Sequence, residues 1–370
     1  MKILQVTHLF PPATGGIENY TLNLSSELCA LGNELTVFTS ALPNTSKEEK
    51  INGITVRRFF SFAAPVFSSV RFSPGMFLAM LKSDADIFSS HGYGSLMPFF
   101  TAIAAWIKRK PFVFTLHGYP KLNGFSGVFQ SFYRLFIASI FLRIAKKVIV
   151  VSNVSIKDIE KEVDKSKLIH IPCGVDIDKF NCPSFDNNRT ISYIGRLDEY
   201  KGIDLLISTF AKFSTKFEEE IKLNIIGKDE GIKEGLVKLT KELNIQDSVS
   251  FKEVPYKEIV KEYCNSLAIA LPSKYEGFPL VWLEAVASER PIFSTRVGDY
   301  EVFYNKIYGK NAELFLFKDE TELEKKLMYF LENREKFIQI VKQAKSNLTK
   351  EYSWDKIAKD VLEVYKEANE

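Results

Sequence analysis

Two carboxylates eight positions apart, Glu276 and Glu284, bracket the segment Glu276-Gly277-Phe278-Pro279-Leu280-Val281-Trp282-Leu283-Glu284. The apolar run 267–271, closed by Pro272-Ser273, has the form of a buried strand ending in a turn. Beyond it Leu280, Leu283, Glu284 and Ala287 recur at helical spacing. Glu276 is therefore expected in a strand-to-helix loop and Glu284 on the first turns of the helix. In open α/β sheets the crevice beyond the carboxyl ends of the strands is where ligands bind. The backbone from Gly277 through Phe278 and Pro279 to Leu280 would add a helix N-terminus, whose free N–H groups suit an anion. Two acids that can grasp hydroxyls beside a phosphate cradle point to a ligand with both sugar and phosphate, a nucleotide sugar.

A second charged loop follows the apolar run 191–194: Gly195-Arg196-Leu197-Asp198-Glu199-Tyr200-Lys201-Gly202. Two cations in one strand-end loop can clamp a diphosphate, Arg196 as a planar fork and Lys201 as a point charge. Taken alone they are equally ordinary surface residues. Nearer the N-terminus, Pro12-Ala13-Thr14-Gly15-Gly16 is a glycine turn between strand and helix, suited to close backbone approach to phosphate or sugar. It lacks the third glycine of the dinucleotide fingerprint, and the second strand lacks the ribose-binding acid, which argues against a nicotinamide oxidoreductase. His117 follows the strand 112–116, where it can hydrogen-bond a sugar hydroxyl or a developing charge. His91 and His8 hold similar strand-end positions and rank below it; each can equally be a structural histidine, as His170 is expected to be. Asp84-Ala85-Asp86 matches an Asp-x-Asp string that some sugar transferases use to hold a metal, but it precedes its strand, at the wrong end of a sheet for a ligand, and is expected to be structural.

These residues need strands and helices in alternation to hold them. Strands are expected at 3–7, 34–39, 54–59, 87–90, 112–116, 148–151 and 168–171, then at 191–194, 222–226, 249–251, 268–271 and 291–294. The polar stretch 172–189 lies between the two series. Two amphipathic helices are expected near 321–347 and 353–368. The pattern predicts an α/β protein of two Rossmann-like parallel-sheet domains facing a cleft. Residues 1–175 form the first, the helix 353–370 joins it, 176–189 is the linker, and 190–352 form the second.

The chain has 370 residues, enough for two cores, and four cysteines without metal-ligand spacing, which suggests thiols in a reducing compartment. No signal peptide and no apolar run long enough to span a bilayer are evident. Residues 51–147 hold twelve Lys or Arg against two acids, Asp84 and Asp86, and about half of the phenylalanines, among them Phe67, Phe72, Phe125, Phe129 and Phe132. Basic charge interleaved with rings suits an anionic membrane surface or a lipid-phosphate acceptor; equally, the rings are core and the charges a solvated face. No nucleic-acid-binding motif is present.

The chain resembles the retaining glycosyltransferases of family 4, which have the GT-B architecture. The resemblance rests on Gly15-Gly16, Thr115-Leu116-His117-Gly118, Ile171-Pro172-Cys173-Gly174-Val175-Asp176, Ile194-Gly195-Arg196-Leu197 with Lys201-Gly202, Ile225-Ile226-Gly227 and the segment from Glu276 to Glu284. It implies that Arg196 and Lys201 neutralise the donor diphosphate, that Glu276 contacts donor-sugar hydroxyls, and that Glu284 holds the ribose. It places His117 beside the reacting sugar, Gly16 at the donor's border, and the last helix back on the first domain. It also implies sugar transfer with retention from a nucleotide-sugar donor to a glycan or lipid-linked acceptor, in polysaccharide, glycolipid or protein-glycan assembly. No metal or cofactor is expected; the cysteine usage points to the cytoplasm, and the inner face of the cell membrane is added only on the membrane-surface reading of residues 51–147. Cys173, Lys228, Leu267, Glu289 and Asp299 depart from the family pattern around the donor pocket. The alternative is an inactive nucleotide-sugar-binding scaffold.

Overall fold

The computed structural model describes residues 1–13, 15–63, 71–118, 133–216 and 220–370; Thr14, Phe67, Phe125, Phe129 and Phe132 lie outside the described residues. The chain forms two compact units, one of Met1–Gly174 with Trp354–Glu370, the other of Val175–Ser353.

The first unit is built on an eight-stranded sheet. Its strands are β1 (Lys2–Val6), β2 (Glu34–Ser40), β3 (Glu48–Ile51), β4 (Ile54–Phe59), β7 (Ile87–His91), β8 (Phe112–Leu116), β9 (Lys147–Val150) and β10 (Leu168–His170); β5 (Phe62–Ala63) and β6 (Arg71–Phe72) pair separately. The order is β10-β9-β8-β7-β1-β2-β4-β3, parallel except for β3. Strands β7 and β8 are buried along their whole length, as parallel strands covered on both faces must be. The antiparallel edge strand β3, Glu-Glu-Lys-Ile, has no apolar alternation, so the pattern that predicts the others does not predict it.

Helices α1 (Gly16–Ala30), α2 (Pro74–Lys82), α3 (Met97–Ile107), α4 (Ser139–Ile144) and α5 (Asn153–Ile159) belong to this unit. Helix α2 starts on Ser73, whose hydroxyl accepts from the Met76 N–H, with Pro74 in the first turn. The phenylalanines of 51–147 divide between both expectations: Phe88, Phe112, Phe114 and Phe141 are core, whereas Phe60, Phe62 and Phe136 are exposed, with Trp106 and Leu135. No helix among the described residues is long and apolar enough to cross a membrane.

The second unit has a six-stranded parallel sheet of β11 (Thr190–Ile194), β12 (Lys222–Ile226), β13 (Val249–Lys252), β14 (Ala268–Leu271), β15 (Ile292–Thr295) and β16 (Leu316–Phe317), in the order β13-β12-β11-β14-β15-β16. Its helices are α6 (Ile203–Ser214), α7 (Lys233–Glu242), α8 (Ile259–Asn265), α9 (Leu280–Ala287), α10 (Tyr300–Tyr308), α11 (Glu320–Glu332) and α12 (Arg334–Tyr352). The single helix expected over 321–347 is thus two helices. Asn333 leaves helical geometry and turns its side-chain amide onto the Tyr329 carbonyl, closing α11 with a local bond that competes with continuation. At the other end, Asp319 accepts from the Glu322 N–H and Glu322 from the Lys318 N–H, a reciprocal cap.

Residues 176–189 are folded into the second unit, with Phe180 and Phe185 buried. Cys182 is joined to Cys264 by a disulfide, and Cys29 and Cys173 remain free. This corrects the expectation of four thiols: the two partners are 82 residues apart in sequence, so only the fold brings them together.

Helix α13 (Trp354–Asn369) packs on the first unit. Its buried residues Trp354, Ile357, Ala358, Val361, Val364, Tyr365 and Ala368 form one apolar stripe, and the Tyr365 hydroxyl donates to Ser89 Oγ at 2.9 Å.

Candidate functional site

In the second sheet the strand order reverses between β11 and β14, so the loops after these two strands lie side by side at the carboxyl edge, where a doubly wound sheet binds its ligand. They carry Gly195 to Gly202 and Pro272 to Pro279. Gly202 adopts φ +61°, and a Cβ there would stand 2.2 Å from the Pro272 carbonyl oxygen. Only glycine allows this approach. A second tie runs from the Lys274 N–H to the Tyr200 carbonyl at 2.7 Å. Closing the loops together brings Lys201 Nζ to 2.5 Å from Glu276 Oε1, with the side chains 15% and 11% exposed, and the Ser273 hydroxyl donates to the same oxygen at 2.7 Å. Arg196 stays open, 66% exposed, with Asp198 3.4 Å from its guanidinium.

The Glu276-to-Leu280 loop is fixed from behind. Gly298, at φ +62°, leaves room for the Gly277 carbonyl, which accepts from the Asp299 N–H at 3.1 Å. Because a trans peptide points its C=O and N–H in opposite directions, the Phe278 N–H faces away from that tie. Among the described residues no acceptor takes the N–H of Phe278 or Leu280. Phe278 stacks on Tyr352 and meets Trp282 and Phe303 edge-on, and Pro279 precedes the first residue of α9.

Glu284 is placed as expected, on α9, but its surroundings differ from those of Glu276. It is 5% exposed, and each oxygen accepts a phenol: Tyr256 at 2.8 Å and Tyr263 at 2.7 Å. Burial pushes its pKa up, while the two phenols and Lys179 hold it down. Lys179 Nζ also stands 4.3 Å over the Tyr256 ring. Sequence reasoning missed both tyrosines, since aromatic residues before and within α8 look like ordinary core.

In the first sheet the order reverses between β1 and β7. Gly15 and Gly16 follow β1: Gly16 opens α1 and is exposed, whereas the space a Gly15 Cβ would take holds the Glu18 carboxylate. The loop is anchored below by Arg58, a guanidinium sealed from solvent, which donates to the Pro11 carbonyl at 2.6 Å and pairs with Glu49. His91 ends β7 opposite Thr115 of β8, and this register sets His117, two residues further on, beside it. His91 Nδ1 and His117 Nε2 are 3.2 Å apart. The Tyr20 ring meets His117 edge-on at 4.5 Å and is backed by Trp354 at 5.3 Å. Enclosure pushes the His117 pKa down to about 3, and His91, with His117 beside it, is lowered as well. Both rings are neutral at physiological pH. Asp84 and Asp86 engage Lys2 at the amino end of β1, and Asp86 also faces Lys110, in keeping with the structural expectation.

Residues 14–179 match Glycosyltransferase Family 4, and residues 174–347 match Glycosyl transferases group 1. An uncharacterized glycosyltransferase of Methanocaldococcus jannaschii is 28% identical over 409 residues, covering 100% of this chain and 99% of its own. The N-acetylgalactosamine-N,N'-diacetylbacillosaminyl-diphospho-undecaprenol 4-alpha-N-acetylgalactosaminyltransferase of Campylobacter jejuni is 32% identical over 181 residues, 47% of this chain and 46% of that one. Among solved structures, Anabaena HepE in complex with UDP and glucose shares the fold over 99% of both chains, with a TM-score of 0.76 at 18% identity. Two parallel-sheet units and two family matches that together run from residue 14 to residue 347 lead to one assignment: the chain belongs to glycosyltransferase family 4, the group 1 type with the GT-B fold.

Proposed function

We propose that this glycosyltransferase works with retention of configuration, moving a sugar from a nucleotide-sugar donor to a glycan or lipid-linked acceptor. The observation that carries the reading is the cluster at the β11/β14 edge, where Lys201, Glu276 and Ser273 stand beside the open Arg196 and the uncommitted N–H groups of Phe278 and Leu280. As the glycosidic bond to the diphosphate breaks, negative charge grows on the leaving oxygens. Arg196, Lys201 and the amides stabilise that charge where it develops. In this role they supply the positive charge that a metal supplies elsewhere. Glu276 holds the sugar hydroxyls, Glu284 the ribose, and His117 a sugar hydroxyl. A leaving phosphate oxygen takes the acceptor's proton, so no second carboxylate is needed as nucleophile.

HepE, crystallised with UDP and glucose, makes UDP-sugars the first donors to try, and the Campylobacter relative makes a polyprenyl-diphosphate sugar the first acceptor. Polysaccharide, glycolipid or protein-glycan assembly is the setting this implies. Sugar-nucleotide consumption by the wild type, with Lys201→Ala reducing kcat/KM about 100-fold or more and Glu276→Ala abolishing transfer, is the expected result. Unchanged turnover in both variants would sink the assignment of roles, and donor binding without turnover on any acceptor would favour a scaffold.

Exposed Phe60, Phe62, Trp106, Leu135 and Phe136 on the basic 51–147 stretch support peripheral attachment to anionic lipid at the inner face of the cell membrane. Flotation with anionic vesicles at low salt checks this, and failure to co-float removes it. The Cys182–Cys264 disulfide bears on the cytoplasmic location, because such bonds are rare in reducing compartments. Thiol labelling in freshly lysed cells decides whether the bond exists there.

A further inference from the structure

The two neutral imidazoles at the carboxyl edge of the first sheet share one hydrogen bond, and the proton in it can sit on either ring. If His117 Nε2 carries it, His91 accepts at Nδ1 and must hold its own proton on Nε2. That nitrogen is sealed and has no partner, and His91 as a whole is 1% exposed. A buried N–H without an acceptor is among the rarest features of folded proteins and costs the full desolvation of the donor. If instead His91 Nδ1 carries the proton, His91 Nε2 is a bare lone pair, an omission that native structures tolerate more readily. His117 Nε2 is then the acceptor, and the proton of the His117 ring moves to Nδ1.

We propose that His91 is a positioning residue that fixes the tautomer of His117, so that His117 presents Nδ1–H as a hydrogen-bond donor to an oxygen of the bound ligand. Nothing among the described residues competes for that donor: His117 Nδ1 has no hydrogen-bond partner there. The ring's plane is held as well as its proton, by the edge-on Tyr20 with Trp354 behind it. A residue locked in this way gives a hydrogen bond to a sugar hydroxyl or a developing oxyanion and takes no proton from the acceptor. The identity of the ligand as a glycosyl donor rests on the function proposed above; the tautomer does not.

The chain has four histidines, so the full-length protein labelled with nitrogen-15 at histidine gives a spectrum in which each ring's tautomer is read from its long-range proton–nitrogen correlations. His117 is identified by the signals lost in His117→Asn. The expected result is Nδ1–H for His91 and for His117; an Nε2–H form of His117 overturns the proposal. His91→Asn keeps a donor at the Nδ1 position and should preserve both the His117 tautomer and, within about threefold, kcat/KM. His91→Leu removes the donor, returns His117 to a mixed population, and should lower kcat/KM about tenfold, read as nucleotide release from the UDP-sugar that the wild type uses. An unchanged His117 tautomer in His91→Leu also overturns it. Should His91→Leu fail to fold, the wild-type and Asn spectra still decide. If His117 is Nδ1–H but no nucleotide sugar is consumed, the proposed function fails and the tautomer assignment stands.

Discussion

Replacing Tyr256 by phenylalanine removes one oxygen, the donor to Glu284 Oε1 at 2.8 Å, and leaves the Tyr263 bond at 2.7 Å in place. A hydrogen bond to a charged group contributes about 1.5–3 kcal/mol, so the buried carboxylate loses support of that order. Two consequences of opposite sign follow. Burial already raises the Glu284 pKa above its ordinary 4.5, and the Tyr256 bond opposes that rise, so the variant's pKa climbs further. A carboxyl whose folded-state pKa is raised adds stability below its unfolded value and loses it as pH rises through the folded one. The variant is therefore destabilised relative to wild type at neutral pH and recovers in acid. If Glu284 holds the ribose, as proposed above, nucleotide binding goes the other way, because only the ionised carboxylate accepts from both sugar hydroxyls; it weakens as pH falls through the raised pKa. If half of the lost bond energy had served to hold Glu284 for ribose, UDP affinity drops about three- to tenfold at neutral pH, since 1.4 kcal/mol is a factor of about ten. Calorimetric titration with UDP and with 2′-deoxy-UDP, at neutral and mildly acidic pH, separates positioning from general damage. The loss should be smaller for the deoxy nucleotide, which lacks one partner of the carboxylate. Equal UDP affinity for variant and wild type at both pH values would refute the reasoning.

Reducing the Cys182–Cys264 bond releases an 82-residue stretch of the second unit, a chain-entropy loss worth about 4.5 kcal/mol. Calorimetry with and without reductant should show a fall of about 10 °C or more in one transition, and Cys264→Ser should reproduce it; coincident melts would dismiss the bond's contribution. Gly202→Ala forces a Cβ against the Pro272 carbonyl at a left-handed φ. The strain alone costs about 1–2 kcal/mol, and parting the two loops should separate Lys201 from Glu276, so UDP affinity falls along with stability. An alanine variant that melts and binds as the wild type does would show the loops to be independent.

Periodicity located β8 at residues 112–116 and put Glu276 in a loop with Glu284 on α9, because these features depend on local burial. It also assigned Asp84 and Asp86 to the amino end of the sheet, where they hold Lys2. Most of what escaped it depends on pairing between distant segments. Strand β3 is an exception: it pairs with β4 across the two-residue turn Asn52-Gly53, a local hairpin signal that a search for apolar alternation passes over. The His91–His117 contact follows from the register of β7 on β8, and the phenols on Glu284 from the placement of α8 against α9. Asn333 was a missed local signal, a helix stop inside a run that the apolar spacing alone carried through. Cys182 and Cys264 carry no spacing motif, so their union was not legible at all.

A Cβ at Gly174 would lie 2.7 Å from the indole of Trp354, so any larger residue must displace the ring with which α13 begins its return to the first unit. That return gives the two units different histories during synthesis. The second unit is one continuous stretch, Val175–Ser353, and everything it needs has been made once its last strand and helices are out of the ribosome. The first unit has its sheet early but lacks the stripe of α13 that covers Ser89 and Tyr20 until residues 354–369 have been added. Domains usually complete in the order of their synthesis. Here the order is inverted: the half that is translated first is finished last.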